Sequence, residues 1–227
     1  SINRCDMFFA DKIIMVEGNV EKLLLPIIIK KVCTKLLSQY VSIIEIGGAY
    51  AHRFKEILEF LNVKTLVITD IDSIDPNNNR KACKVTKDAI TSNQVLAKWL
   101  PAKEKIEDLL SLKKDSKIQN RIRVAYQIPE KSEGICGRSF EEAFILANPD
   151  ILSHEDLDIT SKNIFKNKTG KGKKEVITSK SCTEIEQNSY ELAAKIDKKT
   201  DFAFDILSLK TWTVPLYIKE GLLWLEK

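Results

Sequence analysis

Two acids one residue apart, Asp70 and Asp72, close a run of aliphatic and β-branched residues in the stretch TLVITDIDSID (65–75). Leu66, Val67 and Ile68 read as a strand buried on both faces, as in a parallel sheet. Side chains alternate along a strand, so both carboxylates are expected to point the same way at its carboxyl end. Open α/β sheets place their ligands at that end. Two carboxylates held together repel unless a proton or a metal lies between them, and a hard, oxygen-preferring cation such as Mg²⁺ suits the pair. The competing reading is a solvated acidic turn, with Asp75–Pro76 as turn residues.

Further acids fall at comparable positions. Glu17 closes an earlier apolar run, Ile13 to Val16, and Glu21 follows in the first turn of the next helix. Helix N-termini favour acids, so Glu21 also fits an exposed, dipole-complementing role; Glu17, at the mouth of a buried strand, does not. Glu141 lies beyond a later strand, with Glu142 beside it. Five carboxylates on one sheet edge (Glu17, Glu21, Asp70, Asp72 and Glu141) repel one another without bound cations. Such clusters hold one or two divalent metals that activate water and stabilise the leaving oxygen in phosphodiester cleavage. A lysine nearby neutralises charge developing on the phosphorus centre. Lys199, which opens a helix beside Thr200 and Asp201, is preferred to Lys198, although these physical arguments scarcely separate the two.

The elements that must position these residues alternate strand and helix. Gly18 is expected to permit a tight strand-to-helix turn, and Val20, Leu23, Leu24, Ile27 and Ile28 recur at helical spacing. VSIIEIGG (41–48) is a second strand and AHRFKEILEFLNV a second amphipathic helix. With the Asp70 strand, three alternations imply a parallel sheet with right-handed crossovers. Residues 76–90 read as a polar loop. TSNQVLAKWL is a helix with Thr91, Ser92 and Asn93 as candidate caps. Residues 101–117 form a charged helical connector, RIRVAYQIPE (121–130) is a fourth strand, and SFEEAFILAN is a helix capped by Ser139. The stretch 153–185 is polar, with six lysines between 162 and 174, and reads as a flexible insertion; its lysines are a solvated surface or, alternatively, a phosphate-contacting patch. Helical spacing then returns, with Trp212, Tyr217 and Trp224 as core anchors.

Composition sets the outer limits. The 227 residues are 44% hydrophobic and 30% charged, with net charge +4, enough for one large or two small domains. No run of eighteen apolar residues and no signal-peptide pattern occurs, which points to a soluble, cytoplasmic protein without membrane contact. The five cysteines are scattered and none forms a CxxC pair; with two histidines, a zinc site is not expected. The first ten residues carry no start signal and read as the continuation of an upstream segment.

V-E-G-x-x-E at 16–21 followed by D-I-D at 70–72 resembles the Toprim domain of topoisomerases, primases and certain nucleases. FFADKIIMVEGNVEKLLLP, IIEIGGAYAHRFKEILEFL, VITDIDSID, TSNQVLAKWL, GRSFEEAF, KTDFAFDIL and VPLYIKEGLLWLEK resemble one branch, the overcoming-lysogenization-defect (OLD) nucleases. The resemblance covers 7–149 and 190–227 and fails over the Lys-rich stretch. It implies an α/β fold, a Rossmann-like parallel sheet flanked by helices with a smaller, mostly helical C-terminal subdomain. The corresponding division is a catalytic core at 1–150, a variable insertion at 151–189 and a helical part carrying the lysine at 190–227. It implies a DNA endonuclease, nicking or cleaving with two divalent cations, Mg²⁺ or Mn²⁺, behind an ATPase of the ATP-binding-cassette type; any homo-oligomer would form through that part. No GxxxxGK[ST] motif occurs, in keeping with a separate nuclease region. Carried over by position, Glu17, Glu21, Asp70, Asp72 and Glu141 are the metal ligands, with Glu142 the rival of Glu141. Lys199, Glu17 and Asp70 carry catalysis, and Ser92 and Asn93 either cap a helix or support the ligands.

Two other readings stand beside this one. A non-catalytic interaction module on the same scaffold would keep the acids as remnants or as a structural metal site. A phosphotransferase with Asp70 as covalent nucleophile would leave Glu17-Gly18 unexplained. A type IA topoisomerase needs a catalytic tyrosine in a separate domain, and a primase needs added zinc and helical modules; neither is present.

Overall fold

Strand β1 (Lys12–Val16) has no exposed face, because Ile13, Ile14, Met15 and Val16 are all fully buried. Burial on both faces is what a parallel sheet with helices on both sides gives its inner strands. The computed structural model describes residues 5–46, 51–153, 167–168, 174–175 and 181–227. From β1 the chain continues through α1 (Asn19–Val32), β2 (Val41–Glu45), α2 (Lys55–Leu61) and β3 (Lys64–Ile68). A small antiparallel sheet follows, built from β4 (Ser73–Asp75), β5 (Lys81–Ala82) and β6 (Ile90–Thr91). Helices α3 (Gln94–Lys98) and α4 (Ile106–Ser111) lead to β7 (Ile118–Gln119) and β8 (Ile122–Ala125). Then come α5 (Phe140–Ala147), α6 (Pro149–Ser153), the two-residue strands β9 (Asn167–Lys168) and β10 (Lys174–Glu175), and α7 (Cys182–Gln187). The chain ends with α8 (Ser189–Ala194), α9 (Lys199–Ser208) and α10 (Leu216–Glu226).

The main sheet has the order β2-β1-β3-β8-β7. Its first four strands are parallel and β7 is antiparallel to β8. Strand alternation divides the core in two. Ile14, Val16, Leu66 and Ile68 face α1, α5, α9 and α10, where Leu24, Phe144, Phe202 and Leu222 complete one layer. Ile13, Met15, Val67 and Val124 face the other side, against Leu58 of α2, Val95 and Leu96 of α3 and Leu109 of α4. The edge strand β2 alternates buried and half-buried residues instead, as an outer strand does. Helix α10 lies close to the sheet at Gly221, where an added Cβ would come within 2.9 Å of Leu66 Cδ1 and 3.2 Å of Ala125 Cβ.

Several local expectations are corrected. The buried stripe of α1 is Val20, Glu21, Leu24, Leu25, Ile28 and Ile29, while Leu23 and Ile27 are each 38% exposed. Glu21 is therefore on the core face and not at the solvent-facing end of the helix. Gly18 is in extended backbone (φ −140°, ψ 175°) that any residue adopts; its need is space, since a Cβ would lie 3.3 Å from Glu21 Oε2. The polar stretch 76–90 includes β5 and reaches β6, both paired to β4. The connector 101–117 is α-helical only over α4. Strand β8 stops at Ala125 because its partner β3 stops opposite it, at Ile68. Most of the Lys-rich stretch 153–185 lies outside the described residues. Among those described, no helix is long and apolar enough to cross a membrane.

The start of α10 is held from another loop. The Leu216 amide donates to Glu130 Oε1 and Oε2 at 2.9 and 3.1 Å. Burial pushes the Glu130 carboxyl up to about 7, with the Leu216 bond acting against that. An acid raised in the folded state weakens the fold as pH climbs from its unfolded value near 4.3 towards 7, because the folded protein must give up a proton it holds more tightly. Glu130→Gln keeps an acceptor for Leu216 and removes the charge. It should equal the parent in urea denaturation at pH 5 and exceed it by roughly 1–3 kcal/mol at pH 8.

Candidate catalytic site at the carboxyl edge of the sheet

Parallel pairing brings the ends of β1, β3 and β8 together. Past Val16 comes Glu17, past Ile68 come Thr69 and Asp70, and past Ala125 come Tyr126 and Gln127. Thr69 donates its hydroxyl to Glu17 Oε1. Asn93 donates from Nδ2 to the same oxygen at 2.8 Å, to Thr69 Oγ1 at 2.6 Å and to the Asp70 carbonyl at 2.7 Å. Its Oδ1 accepts from the Val95 amide at 2.9 Å, so Asn93 caps α3 and braces Glu17 at once. Ser92 donates both its amide and its hydroxyl to the Asp72 carbonyl, each at 3.1 Å. Asp70 Oδ1 accepts from Gln127 Nε2 at 2.6 Å.

Asp72 departs from the strand-alternation expectation. Strand β3 has ended two residues before Asp70, and Asp72 sits in left-handed backbone at φ 47°, a conformation aspartate tolerates better than most residues. Its Oδ1 pairs with the Arg138 guanidinium at 2.9 Å. Arg138 also donates from Nε to the Ser73 carbonyl at 3.0 Å and accepts the Asp72 amide on its own carbonyl at 3.2 Å.

The two adjacent glutamates of α5 diverge. Glu141 pairs with Lys199 Nζ at 3.0 Å, the carboxylate side chain 5% and the lysine 63% exposed. Glu142 turns the other way, accepting from the Arg138 amide at 2.7 Å and the Ser189 hydroxyl at 3.0 Å. It thus ties α5 to the residue that precedes its cap position, and Ser139, the expected cap, makes no side-chain capping bond. Position along the sequence does not separate neighbours in a first helical turn; the amide at Arg138 does.

The acids act on one another. Asp70 is raised well above the ordinary carboxyl range by burial and then by Glu21, Glu17, Glu141 and Asp72. Glu21 is pushed up to about 7, chiefly by burial, with Glu141 and Glu17 adding to it and Lys199 opposing. Burial also raises Glu17, against the bonds from Thr69 and Asn93, with Asp72 adding to the rise. For Lys199, burial pulls down but Glu141, Asp70 and Glu21 outweigh it, and the ammonium is held more firmly protonated. These groups share one electrostatic neighbourhood.

Among the described residues, no three of His, Cys, Asp and Glu stand close enough to enclose one ion. Four of the five acids are instead engaged by other groups: Glu17 by Thr69 and Asn93, Asp70 by Gln127, Asp72 by Arg138, Glu141 by Lys199. The donor set nevertheless fits hard divalent cations. It is entirely carboxylate oxygen, and burial and neighbouring acids raise Asp70, Glu21 and Glu17 in a way that a cation relieves. Thr69, Gln127 and Arg138 were not singled out from the sequence, and Tyr217 was read only as a core anchor. Gln127 was the most accessible of them, since counting two residues past the Ile68–Ala125 pair places it beside Asp70.

Residues 8–72 match the family described as overcoming lysogenization defect protein-like, TOPRIM domain. The chain is 34% identical over 233 residues to Endonuclease GajA of Bacillus cereus (strain HuB5-5), across 98% of this chain and 32% of that protein. It therefore spans about a third of that relative's length. The C-terminal region of the Burkholderia pseudomallei OLD protein superposes with a TM-score of 0.50 at 17% identity, covering 95% of this chain and 96% of that one. For the C-terminal region of the Xanthomonas campestris pv. campestris OLD protein the values are 0.49 and 16%, covering 97% and 94%. The matched segment contains Glu17, Glu21, Asp70 and Asp72, and over it this chain is similar to the Toprim domain of the OLD-like family.

Proposed function

We propose that this chain is the nuclease part of a longer ATPase–nuclease and hydrolyses DNA phosphodiester bonds with two divalent cations, Mg²⁺ or Mn²⁺. The observation that carries the proposal is the meeting of Glu17 and Asp70, held by Asn93 and Gln127, at the carboxyl edge of a parallel sheet, with Glu21 and Glu141 acting on Asp70 beside them. Its nuclease character is supported by the likeness to an endonuclease, of whose length this chain spans 32%; the ATPase part is what the resemblance to the OLD nucleases implies.

Glu17, Glu21, Asp70, Asp72 and Glu141 would hold the cations. Bound there, such cations lower the pKa of a water and stabilise the departing oxygen. Asn93 and Thr69 fix the Glu17 carboxylate, and Ser92 ties down the backbone of Asp72. Lys199 is the mobile charge. Its exposed side chain reaches Glu141 from the first turn of α9 and is positioned to meet a phosphate oxygen as negative charge develops. Glu142 serves α5 rather than the cations.

Incubation of supercoiled plasmid with the purified protein tests the reading. Nicked or linear product with Mg²⁺ or Mn²⁺, stopped by EDTA, is expected. A folded protein that leaves the plasmid intact with either ion, alone and when joined to its ATPase part, would contradict it.

A further inference from the structure

Gln127 is completely buried, yet every polar group on its side chain is engaged. Its Oε1 accepts from the Ile71 amide at 2.7 Å. Its Nε2 donates to Asp70 Oδ1 at 2.6 Å and to the Tyr217 hydroxyl at 3.3 Å. The orientation of the amide is dictated, because Ile71 offers an N–H and so only the oxygen can face it. The NH₂ end must then face Asp70. One side chain from the end of β8 thus grips two successive residues of the turn that leaves β3.

We infer that Gln127 is a positioning residue that fixes the Asp70 carboxylate for cation binding, with Tyr217 of α10 locking Gln127 in turn. The inference rests on the nuclease reading above. The 2.6 Å bond from Nε2 fixes where Asp70 Oδ1 points, while the Ile71 bond fixes the backbone that carries it. Tyr217 takes the second amide hydrogen, which leaves the first committed to Asp70. It can do so because α10 seats closely on the sheet at Gly221, one helical turn further along and in contact range of Leu66 and Ala125. Outer-shell partners of this kind, when removed, typically cost about 10- to 100-fold in metal affinity or activity.

Mn²⁺ calorimetry on the parent, Asp70→Ala, Gln127→Met and Tyr217→Phe tests this, with thermal unfolding of each protein without metal and plasmid kinetics alongside. Gln127→Met retains volume and loses the bonds; it should weaken Mn²⁺ binding by about 10- to 100-fold and lower kcat with KM for DNA unchanged. Tyr217→Phe should give a smaller loss, about 3- to 10-fold, at near-parental Tm. If Gln127→Met does not fold, Tyr217→Phe decides alone. Parental Mn²⁺ affinity in the folded variants, with binding abolished by Asp70→Ala, would overturn the inference and leave the nuclease reading standing. A parent that binds no Mn²⁺ would overturn both.

Discussion

Lys199→Ala should abolish most cleavage while leaving cation binding intact. The ammonium sits 3.0 Å from the nearly buried Glu141 carboxylate and is itself 63% exposed, so it can leave that carboxylate for a substrate phosphate without crossing packed structure. Removing one preorganised group that meets developing negative charge costs about 10²- to 10³-fold in kcat. A lysine that merely balanced Glu141 would behave differently, because a bound divalent cation would take over that task and kcat would barely move. Steady-state nicking of plasmid, with KM determined separately from kcat, distinguishes the two. Mn²⁺ affinity is expected to hold or tighten, since the variant removes a positive charge from the acids.

The second large effect separates neighbours. Glu141→Gln should reduce cleavage by about 100-fold or more, on the scale of losing a group that orients a catalytic ion, with little change in Tm. Glu142→Gln should show the reverse pattern. Its two oxygens separately receive the Arg138 amide and the Ser189 hydroxyl in a buried setting, and Gln keeps only one of these acceptors. A buried donor left without its partner should cost roughly 1–3 kcal/mol of stability and change Mn²⁺ affinity little. Urea denaturation and plasmid cleavage on both variants read the pattern. Loss of cleavage in a stable Glu142→Gln, with Glu141→Gln active, would exchange their roles.

What the sequence made legible follows from what parallel sheets do to side chains. Buried strands announce themselves by uninterrupted aliphatic runs, and acids at the ends of such runs have nowhere to go but a shared edge. Glu17 and Asp70 could therefore be placed together, on a parallel α/β sheet; the Toprim fold came from the resemblance of V-E-G-x-x-E and D-I-D, not from the strand pattern. Details set by packing between distant segments were not accessible in that way. Glu21 faces the core because α1 rolls towards α9 and α10, and apolar spacing alone favoured Leu23 and Ile27 for the buried stripe. Asp72 lies beyond the strand in left-handed backbone, where alternation no longer governs direction. The pairing of Gln127 with Tyr217 spans ninety positions, and no local pattern signals it.

The measurement that reaches the central claim most directly is cleavage of supercoiled plasmid in Mg²⁺ by the parent and by Asp70→Ala, both verified as folded. Asp70 is the acid on which all the others act, so removing it should relieve repulsion, preserve or raise Tm, and reduce cleavage to background. A stable Asp70→Ala protein that nicks plasmid at the parental rate would contradict the account.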